Sequence, residues 1–103
     1  MSDDTLFTVT AQVWRWRPAR ADAGGWYFLT VEGQTAVEIR YAAMGRTGGF
    51  GSIRVTATIG ETRWQTSLFP QRETGGLILP LKADVRRREG IDEGRAVTVT
   101  LAV

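Results

Sequence analysis

The segment KADVRRREG places four cations, Lys82, Arg86, Arg87 and Arg88, within seven residues, and Lys82 is the only lysine of the chain. Two chemistries suit such a cluster. A lysine held out of water can act as a base toward a serine, and Ser67 is the partner worth naming for Lys82 in a Ser/Lys-dependent hydrolase. Against that reading, Ser67 falls in strand sequence and Lys82 at a helix start, with nothing in the order of residues to bring them together. The second chemistry is anion binding. Lys82 and Arg86 are four apart and share a helix face, while Leu81 and Val85 share the adjacent face that docks the helix. A cation in the first helical turn is unfavourable unless an anion or carboxylate sits there. Lys82 and Arg86, with Ser67 and Arg54 on a neighbouring sheet face, are therefore the candidate anion site. The competing account is a solvated basic face in which Asp84 pairs with Arg87 or Arg88 at i+3 or i+4.

Other catalytic sets are constrained by what the chain lacks. With 0 histidines and 0 cysteines, no Ser-His-Asp triad, Cys-His pair or zinc site with nitrogen and sulfur ligands can be built. No catalytic residue, metal site or cofactor is assigned. The acid pairs Asp3-Asp4 and Asp92-Glu93 fall in terminal or turn sequence, where solvated carboxylates are the ordinary outcome. Gly45, Gly48, Gly49 and Gly51 suggest a phosphate cradle, but they lead into a strand and lack a following Gly-Lys-Ser/Thr, so a tight turn explains them. Trp14, Trp16 and Trp26, interleaved with Arg15 and Arg17, offer an aromatic stacking platform or pocket lining. Packing in the core or at the end of a barrel is the alternative for the same tryptophans.

The elements that must position these groups form one domain over residues 1–103, a length that supports a single core. Thirteen Lys and Arg against eleven Asp and Glu leave a net charge of +2, a weak field for nucleic acid. The absence of cysteine fits a reducing compartment, and the acidic start MSDDTLFTVT has neither a basic leader nor an apolar span. A cytoplasmic location without membrane attachment is expected.

From Leu6 to Val13 the apolar positions Phe7, Val9, Ala11 and Val13 alternate with Thr8, Thr10 and Gln12, which predicts a half-buried strand. The pattern then inverts at Trp14 and Trp16, so either a bulge restores the register or both faces are covered. Pro18 to Gly25 reads as a loop and Trp26 to Val31 as a strand. Thr35 and Glu38 have capping-box spacing, Val37, Tyr41 and Met44 recur at helical intervals, and Gly45 suits a left-handed cap, which predicts a helix over about Thr35–Met44. The segments SIRVTATI and TRWQTSLF flank Gly60-Glu61 as a hairpin. Its register sets Ile59 against Thr62, Ala57 against Trp64 with Trp64 inside, Val55 against Thr66, Ile53 against Leu68 and Arg54 against Ser67. Pro70 is expected to end that strand. A second short helix runs over about Leu81–Glu89 and closes at Gly90, and Val97, Val99, Leu101 and Val103 share one face of a last strand.

The segments VWRW, GGWYFLTV, GGFGSIRVTATIGETRWQTSLFP and LILPLKADVRRREGIDEGRAVTVTL resemble a bacterial family catalogued as domain of unknown function 1905. That resemblance implies a proline near Glu32 or Gly33, where this chain reads EGQ. LPLKADVRRREGIDEGRAVTV is also similar to the half-motif of AbrB-type transcription regulators and antitoxins. Together the resemblances imply a mainly β fold, a small double-split β-barrel with two short helices, and assign no activity. The expected function is a non-enzymatic binding or interaction domain for a small anionic molecule or an acidic protein surface. An AbrB-like role on double-stranded DNA is the runner-up, and either a monomer or a homodimer is compatible.

Overall fold

The computed structural model describes residues 4–17 and 25–103. Most of the expected Pro18 to Gly25 loop, and Asp3 of the first acid pair, lie outside these residues. Seven strands are present among them: β1 Leu6–Gln12, β2 Trp14–Trp16, β3 Trp26–Val31, β4 Ile53–Ile59, β5 Thr62–Gln71, β6 Gly76–Pro80 and β7 Ala96–Ala102. Two helices, α1 Gly33–Ala42 and α2 Ala83–Glu89, interrupt them. The fold is mainly β, a curled antiparallel sheet in the order β1-β7-β4-β5-β6-β3-β2.

The ends of that order, β1 and β2, are parts of one extended segment. Ladder pairing with β7 runs from Leu6↔Ala102 to Gln12↔Ala96, and pairing with β3 begins at Trp14↔Phe28. Val13 is the hinge between partners. Its N–H donates to the Arg95 carbonyl (2.9 Å) and its carbonyl accepts from the Gly94 N–H (2.7 Å). No bulge is needed at the inverted pattern, because alternation persists. Phe7, Val9, Ala11 and Val13 pack inward, Arg15 continues on that side against Tyr27, and Trp14 and Trp16 stay on the outer side.

The β4–β5 hairpin has the expected register from Ile59↔Thr62 through Ala57↔Trp64 to Ile53↔Leu68, with Arg54 opposite Ser67. Trp64 packs half-buried against the core. Contrary to expectation, β5 continues through Pro70, which pairs with Leu77 of β6. Pairing with β4 stops at Ile53↔Leu68, so Pro70 faces no strand on that side and its missing N–H breaks no ladder bond there. The core gathers Leu29, Val31, Leu68, Leu77, Leu79, Val99 and Leu101 on the concave side, each essentially inaccessible. Burial of each such side chain contributes about 1.5–3 kcal/mol. Val97, Val99, Leu101 and Val103 are buried together, as their spacing predicts.

Helix α1 differs from expectation in both ends and face. It begins at Gly33 after an extended Glu32, which makes no side-chain cap, so the Thr35 and Glu38 capping box is not formed. Gly33 has φ +67°, a left-handed turn that lets the chain leave β3 abruptly without a proline. The helix ends at Ala42 rather than Met44, and Gly45 (φ +82°) completes the exit turn. Val37, Tyr41 and Met44 are 56%, 74% and 70% exposed, while Ala36, Ile39 and Ala43 are buried. Ala36 and Ala43 allow the helix to approach the sheet closely around the buried Ile39, and Val37, Tyr41 and Met44 are left outside. Arg40 then ties α1 to the β5–β6 turn by donating to the carbonyls of Gly75 (2.7 Å) and Gly76 (3.0 Å).

Helix α2 starts two residues after Leu81, with Lys82 as its N-cap residue, and closes at Gly90 in the left-handed conformation as expected. Leu81 and Val85 are both buried and dock it. A bond from Thr62 Oγ1 to Glu89 Oε2 (2.6 Å) ties its last turn to the β4–β5 hairpin.

Candidate functional site

Leu81 extends the β3–β6 pairing by one bond, its N–H donating to the Tyr27 carbonyl (2.8 Å), before the chain turns into α2. That bond sets the first turn of α2 beside the start of β3. Between them lies a pocket of about 400 Å³, walled by Gly25, Trp26 and Tyr27 from β3 and its approach and by Pro80, Leu81 and Ala83 from β6 and α2. Lys82 and Arg86 complete the wall, so the two cations expected to share a helix face do line one cavity. Among the described residues, none lining it is acidic.

Helical side chains lean toward the N-terminus, which carries Arg86 back over the start of its own helix and onto Tyr27. Its Cζ lies 3.8 Å from the Tyr27 ring centroid, a cation–π contact. Its Nε donates to the Leu81 carbonyl (3.2 Å). The guanidinium is thus held by two contacts, while its two terminal nitrogens have no protein partner among the described residues. A second guanidinium stands near the same ring, Arg15 Cζ at 5.4 Å from the centroid. Arg15 reaches there because it pairs with Tyr27 across β2–β3. Gly25 makes room for it, since a Cβ there would strike Arg15 Nε and lie 2.9 Å from the Trp16 carbonyl oxygen.

The other expected site residues lie elsewhere. Arg54 and Ser67 face each other on the outer side of β4–β5 and neither lines this pocket. Arg54 lines a smaller cleft of about 170 Å³ with Arg46 and Asp4, so an acid is already present beside those cations. Ser67 lines neither the pocket that holds Lys82 nor the Arg54 cleft. The pairing of Asp84 with Arg87 or Arg88 is not made; the ion pair found among the described residues is Arg17–Glu93. Exposed pairs of this kind gain little against solvent screening, so their geometry is weakly enforced. Arg17 donates to both Glu93 oxygens (2.6 and 3.1 Å), and that bond raises the Arg17 pKa and holds the Glu93 carboxyl below its ordinary value.

The tryptophans divide. Trp16 and Trp26 oppose each other across β2–β3 and are 50% and 61% exposed. Trp14 packs on Phe28 with centroids 4.9 Å apart and donates from Nε1 to Thr30 Oγ1 (2.7 Å). Of the three, Trp26 lines the pocket. The residue that sequence reasoning missed is Tyr27. It is hidden in the apolar run WYFLTV, and only its parity, opposite to Trp26 and matched to Arg15, marks it as different.

Residues 10–101 match the family model described as a domain of unknown function, DUF1905. The chain belongs to the DUF1905 family. Among curated proteins, none is significantly similar to it. In this DUF1905 member no helix of the described residues is long and apolar enough to cross a membrane.

Proposed function

We propose that this DUF1905 domain is a binding module that takes a small anionic ligand in the pocket between β3 and α2. The observation that carries the reading is the guanidinium of Arg86, held over the Tyr27 ring and bonded to the Leu81 carbonyl, with Lys82 beside it and no acid among the described lining residues. An arginine held in advance loses little side-chain freedom when it meets a carboxylate or phosphate, and charge-assisted bonds to such groups are the strong ones. The pocket sits within the range of about 300–1,000 Å³ usual for small-ligand sites. The Arg46–Arg54 cleft suits an anion less well, being under half the volume and carrying Asp4.

A thermal-shift panel of inorganic phosphate, sugar phosphates, nucleotides and carboxylates, run beside duplex DNA at two salt concentrations, tests the proposal, because a ligand of the native state raises Tm. At least one small anion is expected to raise Tm in the parent and not in Arg86→Ala. Stabilisation by duplex DNA alone, steeply weakened by salt, would instead favour the DNA-binding reading.

A further inference from the structure

We infer that the ligand is a planar aromatic carboxylate, its acid group on Arg86 and Lys82 and its ring against Trp26 and the Pro80-Leu81 wall. This rests on the anion-binding reading of the same pocket and narrows it.

Three observations carry the inference. The first concerns the open edge of Arg86. A guanidinium offers two forked edges, and the one containing Nε is engaged by the Leu81 carbonyl. The edge formed by the two terminal nitrogens remains, and its spacing matches the two oxygens of one carboxylate. The N–H bonds of a guanidinium lie in its plane, so the acceptor must come in that plane, past the Tyr27 contact.

The second is the mismatch between charge and volume. Lys82 and Arg86 are the charged residues of the lining, yet the cavity is about 400 Å³ and its other walls include Trp26, Tyr27, Pro80 and Leu81. A bare phosphate or acetate would leave most of that apolar wall against water. An apolar body on the anion covers it, and the gain grows with the area removed from water.

The third is Trp26, which is 61% exposed although it lies on the pocket wall. A large indole left open beside a cation pair matches an occupant that is itself flat, since offset stacking of two rings adds to simple burial.

The test is calorimetric titration of the full chain with 2-naphthoate, its saturated counterpart decahydro-2-naphthoate, the neutral 2-naphthamide, acetate and inorganic phosphate. 2-Naphthoate is expected to bind at least about tenfold more tightly than each of the others, since loss of either the charge-assisted fork or the ring contact costs about that factor. Arg86→Lys keeps the charge but removes the fork, and should weaken 2-naphthoate about tenfold with the far-UV circular dichroism unchanged and 2-naphthamide unaffected. If acetate or phosphate matches 2-naphthoate, the aromatic class is overturned while the anion reading stands. Equal binding of the saturated acid overturns the planar requirement. Equal binding of 2-naphthamide, or no binding by any of the five, overturns both readings.

Discussion

Arg86 shows how much of a site depends on one atom's partner. Its Nε bond to Leu81 chooses which edge of the guanidinium stays open, and the Tyr27 ring holds Cζ 3.8 Å from its centroid. Neither partner is legible from KADVRRREG. Lys82 and Arg86, expected on one helix face, line one cavity although Lys82 stands outside the helix as its N-cap residue, whereas Tyr27 lies 59 residues before Arg86 and meets it only through tertiary packing. Arg54 and Ser67 illustrate the converse. Their mutual register was readable from the hairpin alternation, but no local pattern tells which end of the sheet α2 covers. Two outcomes are expected at this scale. Gly25→Ala should destabilise by about 1–3 kcal/mol in denaturant unfolding, because the added methyl meets Arg15 and the Trp16 carbonyl. Glu93→Gln removes the partner of Arg17. Because the carboxyl of Glu93 is lowered in the folded state, its contribution is present above the unfolded pKa and is lost as pH falls through the lower folded value. Parent and variant should therefore differ slightly near neutrality at low salt and converge in acid, and added salt should erase the difference because both groups are exposed.

Among the elements, α1 is where a sequence pattern misleads. Val37, Tyr41 and Met44 have the spacing of a buried stripe, yet the helix docks through Ala36, Ile39 and Ala43. Helical periodicity reports two candidate faces here, and the docked one combines the two alanines, which allow close approach, with the apolar Ile39. Tyr41→Ser should leave stability within about 0.5 kcal/mol of the parent, as for an ordinary surface position. Leu79→Ala, at a wholly inaccessible position of β6, should cost about 2–5 kcal/mol by the same unfolding measurement. The strands were easier to read than the helices. Period-two alternation and the Gly60 turn (φ +57°) specify the β4–β5 register locally, while Pro70 could be placed only once the end of β4 was known. The Thr62–Glu89 bond joins that hairpin to α2, and Thr62→Val should weaken the fold by about 1.5–3 kcal/mol, since it leaves a buried position beside an unpaired carboxylate.

Taken as a whole, the sheet is organised by the segment Leu6–Trp16, which borders β7 at one end of the strand order and β3 at the other. The apparent break in alternation at Trp14 marks the change of partner at Val13; neither a bulge nor cover on both faces is found, since Leu6, Thr8, Thr10, Gln12 and Trp16 are exposed on the outer side. This closure also separates two outer surfaces. Over β1, β7 and β4 the outer side carries Thr8, Thr10, Thr98 and Arg54, with Thr10 and Thr98 hydroxyls 2.8 Å apart. Over β3 and β2 it carries Trp14, Trp16, Trp26 and Phe28. The pocket opens at the aromatic end, where Arg15, Tyr27 and Arg86 meet. Pairing of Leu6 with Ala102 spans nearly the full sequence, so folding is expected on the millisecond-to-second scale by stopped-flow fluorescence. The proposed anion site lies in the pocket between β3 and α2. Its most direct test is an NMR titration of the full chain with 2-naphthoate, following backbone amides and arginine Nε–H signals. Saturable shifts are expected at Arg86 Nε–H and at the amides of Trp26, Tyr27, Lys82 and Ala83, with Arg46 and Arg54 unmoved. Shifts centred on Arg46 and Arg54, or no saturable shift at Arg86, would contradict it.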